Sequence, residues 1–164
     1  MFQMKKNKNI TFLLIAAFFI LLLIKLSITL RIRGPFLFPD ESCVIQKALY
    51  FAKNLQLESC TNIINVSAID PYPFYSMIVS PIYYFCSGYT AYLGILTLNT
   101  ILVSSLLFPL YAIFRKFIDS DVKSIFTGIL VLLLPSIVVF EKAAMNETAF
   151  LAASIWFLYF YMKS

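Results

Sequence analysis

The sequence predicts an all-α, polytopic membrane fold, with about four transmembrane helices and interfacial helices in a large first outer loop. Three observations carry that expectation. Hydrophobic residues make up 61% of the chain and charged ones 13%, with a mean hydropathy of +0.87; a soluble domain could not keep that much apolar surface out of water. Apolar runs of membrane-crossing length recur along the chain, and lysines and arginines stand mostly beside them. The formal charge of +5 therefore reads as a set of orientation signals and not as a nucleic-acid footprint. Residues 1–164 form a single transmembrane domain in this reading, with no room for a separate soluble one.

Lys5, Lys6 and Lys8 precede the first run, 10–30, which is long enough to cross a bilayer and ends at Arg31-Ile32-Arg33. The lysines hold the N-terminus in the cytoplasm, and the lack of a small-x-small cleavage pattern makes the run a retained anchor. Lys25 is the one charge inside it. It either snorkels or faces the bundle interior to meet an acid or a phosphate, and its depth favours the second. Gly34-Pro35 and Pro39 end the span. From 41 to 57, Val44, Ile45, Ala48, Leu49, Ala52 and Leu55 recur at helical spacing opposite Gln46, Lys47 and Lys53, the pattern of a helix lying on the membrane surface.

The polar stretch from Glu58 to Asp70 contains the sequon Asn65-Val66-Ser67, which agrees with an outside location. Residues 73–86, interrupted by Pro81 and rich in tyrosine, read as a broken, interfacial or re-entrant piece. If they do not cross, the next span, 91–114, runs inward and places Arg115, Lys116 and Lys123 in the cytoplasm, as the positive-inside rule prefers. Spans 124–140, with Pro135 as a kink point, and 147–162 complete the bundle.

Composition also excludes chemistries. With no histidine and with Cys43, Cys60 and Cys86 lacking CxxC spacing, neither a zinc site nor a Ser/His/Asp triad is available. Cys43 and Cys60 share one outer loop and can pair in an oxidising compartment; two buried thiols explain them equally well.

The carboxylates point to function. Asp40, Glu41, Glu58, Asp70, Glu141 and Glu147 all fall on the outer side in this topology, although insertion does not require it. Asp40-Glu41 and Glu147 lie close to span ends, so side-by-side packing brings them to one depth near the headgroups. Each has a structural alternative. Asp40 suits an N-cap, Glu41 a first helical turn, Asn146 a cap and Glu147 the positive end of the last helix. Asp119-Ser120-Asp121 has the DxD spacing of metal-dependent nucleotide-sugar enzymes, but a short turn before a helix explains it better as a cap.

The order of parts resembles the N-terminal portion of the lipid-linked GT-C glycosyltransferases, especially the protein mannosyltransferases and aminoarabinose transferases. The matching pieces are Phe38-Pro39-Asp40-Glu41 after the first span, Tyr72-Pro73-Phe74-Tyr75 before Pro81-Ile82-Tyr83-Tyr84, and then Leu98-Asn99 and Phe114-Arg115-Lys116. Leu134-Pro135-Ser136 running into Asn146-Glu147 completes the set, so the resemblance covers nearly the whole chain. Such enzymes continue through several more spans, so it implies a fragment or a small relative.

The resemblance implies transfer of a hexosyl or pentosyl group from a polyprenyl-phosphate-linked donor to an acceptor hydroxyl of a protein, lipid or glycan on the extracytoplasmic face of the cell membrane. Asp40 would be the general base, with Glu41 and Glu147 orienting the acceptor, a metal or the base. Arg31, Arg33 and Lys142 would stabilise the leaving phosphate. A divalent cation, magnesium or manganese, fits such oxygen ligands without being demanded by them. The bilayer and the donor are the expected partners, and nucleic acid is not. The contrasting expectation is a non-catalytic membrane scaffold or assembly subunit. A small transporter would want acids at mid-membrane depth, where this sequence places none.

Overall fold

A computed structural model describes residues 8–35, 39–56 and 73–164. Among them every regular element is helical. The helix α1, Lys8–Thr29, has 22 residues and so spans about 33 Å at the usual rise, more than the hydrocarbon core needs. It turns large apolar side chains such as Phe12 and Leu23 outward, as a lipid-facing helix does. Then come α2, Pro39–Asn54, and two short pieces, α3, Pro73–Val79, and α4, Ile82–Phe85, separated at Pro81.

The next helices, α5, Gly88–Ser105, and α6, Leu107–Phe114, together form a 27-residue apolar stretch. The joint between them has a cause in the sequence. Pro109 has no amide to offer the carbonyl of Ser105, and its ring crowds that carbonyl. At Pro135 the interruption is larger. Here α7, Asp121–Leu132, gives way to α8, Pro135–Glu141, at 60°, because Leu134 before the proline is extended, with φ −56° and ψ 136°. The last helix, α9, is Asn146–Lys163.

Two of these units, α1 and α5–α6, are long and apolar enough to cross a membrane, and α7–α8 becomes a third if the bent pair is one span. With its composition, that makes the chain a helical membrane protein.

α1 and α5 pack antiparallel, whereas α6 and α9 run parallel. The Tyr89 hydroxyl at the start of α5 donates to the Ile32 carbonyl just past α1, 2.6 Å away. At the opposite end Lys116 donates to the Met162 carbonyl, joining the ends of α6 and α9. α1 lies along α5, α6 on α7, and α9 on both α5 and α6, while α2 sits on α3.

One stripe of α5 organises the interior. Tyr92, Ile95 and Leu96 belong to an apolar cluster with Val44, Ala48, Tyr75, Val79 and Ala144. Farther along, Val103 and Leu106 join a second cluster with Leu14, Leu21, Leu107, Leu110, Ile125 and Leu132. Between them, at the same three- and four-residue spacing, Asn99 and Thr100 are buried. A polar layer thus divides two apolar ones.

Gly128 allows α7 to approach α6. A Cβ there would stand 3.1 Å from Leu107 Cδ1 and 3.7 Å from Leu110 Cβ. Gly128→Ala needs only a small shift of the Leu107 tip, whereas Gly128→Leu must push the helices apart at about 1–3 kcal/mol. Thermal unfolding in detergent should show the leucine variant melting well below the alanine one.

Candidate functional site

Glu41 fixes the geometry of the candidate site. The first turn of α2 contains Asp40 and Glu41, with Val44 and Ala48 following on the face that packs against α3 and α5. That face draws Glu41 inward until it is 0% exposed. Its Oε1 accepts from the Tyr92 hydroxyl at 2.8 Å and from the backbone amide of Ala144 at 2.9 Å. One carboxylate oxygen therefore joins α2, α5 and the turn between α8 and α9. Its Oε2 is buried with no hydrogen-bond partner among the described residues.

A parallel strut lies beside it. The Tyr75 hydroxyl donates to Asn99 Oδ1 at 2.7 Å, and Asn99 Nδ2 donates to the Ala143 carbonyl at 2.9 Å. Burial pushes the Tyr75 phenol above its ordinary range, with the hydrogen bond to Asn99 opposing and the Glu41 charge reinforcing the shift. The turn from Ala143 to Ala144 is thus held by two side chains from other elements. Glu147, in the first turn of α9, comes three residues later and is exposed, as is Asp40.

The expected trio of carboxylates is therefore divided. Asp40 and Glu147 remain open to their surroundings, while Glu41 is an internal clamp. Two details of helix capping also change. Asp40 lies inside the first turn of α2, with Pro39 ahead of it, instead of capping the helix. Met145 occupies the capping position of α9, and Asn146, expected there, is the first helical residue, its Oδ1 buried with no hydrogen-bond partner among the described residues.

The cations are divided as well. Arg31 and Arg33 are exposed beyond α1, where an anion can meet them. Lys142 is turned inward, which corrects its expected place beside them. Its Nζ donates to Glu141 Oε1 and to Thr29 Oγ1, each at 2.6 Å, and to Thr100 Oγ1 at 3.1 Å. Lys25, 2% exposed, pairs with the other oxygen of Glu141, which is 1% exposed. The acid expected for Lys25 is thus present, and Glu141 is a structural partner. Asn99 and Thr100 were the missed members; two adjacent polar residues inside an apolar run were the available signal.

Between α5, α8 and α9 runs an open groove of about 210 Å³, lined by Val103, Ile137, Phe140 and Leu151 together with Glu147 and Thr148. Thr148 also donates to the Phe140 carbonyl at 3.0 Å, tying α9 to the end of α8. At the far end of the bundle Ser120 accepts from the Lys123 amide, so Asp119-Ser120-Asp121 caps α7 as expected. Asp121 there receives Arg115 and the Tyr111 hydroxyl.

Cys43 is disulfide-bonded and Cys86 is a free thiol. Cys60, Leu57, Glu58, the sequon at Asn65, Asp70, Tyr72 and Phe38 lie outside the described residues. No group of three or more histidine, cysteine or acidic side chains able to hold a metal occurs among the described residues.

The clamp makes a quantitative prediction. Tyr92→Phe removes one bond to a carboxylate and should cost about 2 kcal/mol, while Glu41→Ala removes both and should cost more. The losses should be non-additive when combined, as read from thermal unfolding of the purified variants.

Comparison with protein-family models, with curated proteins and with solved structures finds no match to this chain.

Proposed function

We propose that this chain is a membrane glycosyltransferase resembling the N-terminal portion of the GT-C class, transferring a sugar from a polyprenyl-phosphate-linked donor to an acceptor hydroxyl at the extracytoplasmic face. The observation that carries the reading is the clamp at Glu41, which fixes the helix turn bearing exposed Asp40 to the turn that leads into exposed Glu147. A carboxylate free to take a proton is thus presented on an ordered helix start beside a span end.

A four-crossing topology agrees with the same packing. In it α9 joins α1, α5–α6 and α7–α8 as a fourth crossing, Arg115, Lys116, Lys123 and Lys163 gather near one end, and the positive-inside rule favours a cytoplasmic side for that end. α2, α3 and α4 then lie on the outer side, where the disulfide at Cys43 suits an oxidising compartment.

In the reaction, Asp40 takes the acceptor hydroxyl proton as the oxygen attacks the anomeric carbon. The bond from that carbon to the phosphate oxygen breaks, and the polyprenyl phosphate leaves with the electron pair. Arg31 and Arg33 meet its charge, and Glu147 orients the acceptor. The groove beside Glu147, lined mainly by Val103, Ile137, Phe140 and Leu151, suits an apolar lipid tail.

A second reading, a non-catalytic scaffold or assembly subunit, draws on Glu41 and Lys142 both being consumed by internal contacts.

Asp40→Asn separates the two. Because Asp40 is exposed, the variant should fold normally, and transfer in membranes supplied with a polyprenyl-phosphate sugar should fall about 100-fold or more. Undiminished transfer would overturn the assignment of Asp40.

A further inference from the structure

The end of α1 marks a level along α5. Thr29, the last residue of α1, has its hydroxyl 2.9 Å from that of Thr100, and Arg31 and Arg33 follow it, both exposed. Exposed arginines are too costly to hold deep in lipid, so the hydrocarbon boundary lies near Thr29 and Thr100. α5 begins at Gly88 and therefore runs about 18 Å past that level. The sequence holds no charged residue between Asp70 and Arg115, so this overhang needs cover from water. α2 and α3 supply it, with Val44, Ala48, Tyr75 and Val79 packed on Tyr92, Ile95 and Leu96.

The covering helices differ on their outer faces. α2 exposes Asp40, Gln46, Lys53 and Asn54 along with Leu49. α3 and α4 expose Phe74, Met77, Ile78, Tyr84 and Phe85, one helical face carried across the break at Pro81, while Tyr75, Ser76, Val79 and Ser80 are buried. The register gives this stripe a depth. Tyr75 reaches Asn99, the neighbour of Thr100, so α3 stands at the boundary. Ile82 lies against Gly94, about 9 Å farther out.

We propose that the Phe74, Met77 and Ile78 face of α3, continued by Tyr84 and Phe85 on α4, is a lipid-contact surface. It rests in the headgroup and upper acyl layer at the end of the bundle where α1 stops. Lipid is the occupant that the chemistry selects, because the stripe is aromatic and aliphatic, offers no charge to a polar partner and is continuous through α4 with the apolar span α5. α2, whose sequence pattern predicts a helix on the membrane surface, instead buries its apolar side on α3 and α5 and turns its polar side to water. The surface stands or falls independently of the transferase reading.

The experiment places one tryptophan at a time in the full chain, with Trp156→Phe removing the native one. The protein is reconstituted in phosphatidylcholine vesicles whose acyl chains are brominated near the headgroup or near the tail end. Because the substituted positions are exposed, the packed faces are untouched. Phe74→Trp and Met77→Trp should lose about twofold or more of their emission to the shallow bromines and less to the deep ones. Phe19→Trp, exposed at the middle of α1, should show the reverse order, and Gln46→Trp on α2 should be quenched by neither. With Phe19→Trp quenched, full emission from Phe74→Trp or Met77→Trp overturns the lipid contact. Stronger quenching of these two by the deep bromines overturns the boundary placement, and equal quenching of Gln46→Trp overturns the division between α3 and α2.

Discussion

The buried pairing of Lys25 with Glu141 is the constraint on which the arrangement of helices depends. An unpaired charge inside an apolar bundle is so costly that the chain must bring residues 25 and 141 together or keep both in water. Once they meet, the adjacent Lys142 falls within reach of Thr29 and Thr100, and α1, α5 and the end of α8 share one layer. Apolar packing alone would tolerate sliding of one greasy helix along another. Directional polar contacts fix the register, at a cost in stability that the packing on either side offsets.

From that layer the candidate site is built by short links. The turn after α8 is set first by Glu141 and Lys142, then by Asn99 holding the Ala143 carbonyl, then by Glu41 holding the Ala144 amide. Successive residues of one turn therefore report to α1, α5 and α2. Of the exposed acids, Asp40 is the sequence neighbour of Glu41 and Glu147 follows Ala144 by three residues, each within a helical first turn.

Much of this was legible before the coordinates. Apolar length predicted spans 10–30 and 91–114, close to α1 and the 88–114 unit, Pro81 marked the break between α3 and α4, and the depth of Lys25 favoured an inward-facing charge that meets an acid or a phosphate. What sequence could not separate was the division of labour between neighbours. Asp40 and Glu41 are adjacent acids in one first turn, and only the packing of Val44 and Ala48 decides that the second is turned in. Likewise Glu141-Lys142 looks like a charged loop, and its burial follows from Thr29 and Thr100, which are distant in sequence. Pro135 signalled a kink; the 60° angle depends on the extended residue before it and on where α8 docks.

The central claim is that residues 25 and 141 are electrostatic partners that set the register of the bundle. A charge-exchange cycle tests it most directly, comparing the unfolding stability of Lys25→Glu, Glu141→Lys and the double exchange. Each single change places like charges together in the buried layer and should cost about 3–5 kcal/mol, and the exchange should recover most of that loss. If the double variant loses the sum of the two singles, the residues do not meet and the account of the fold is wrong.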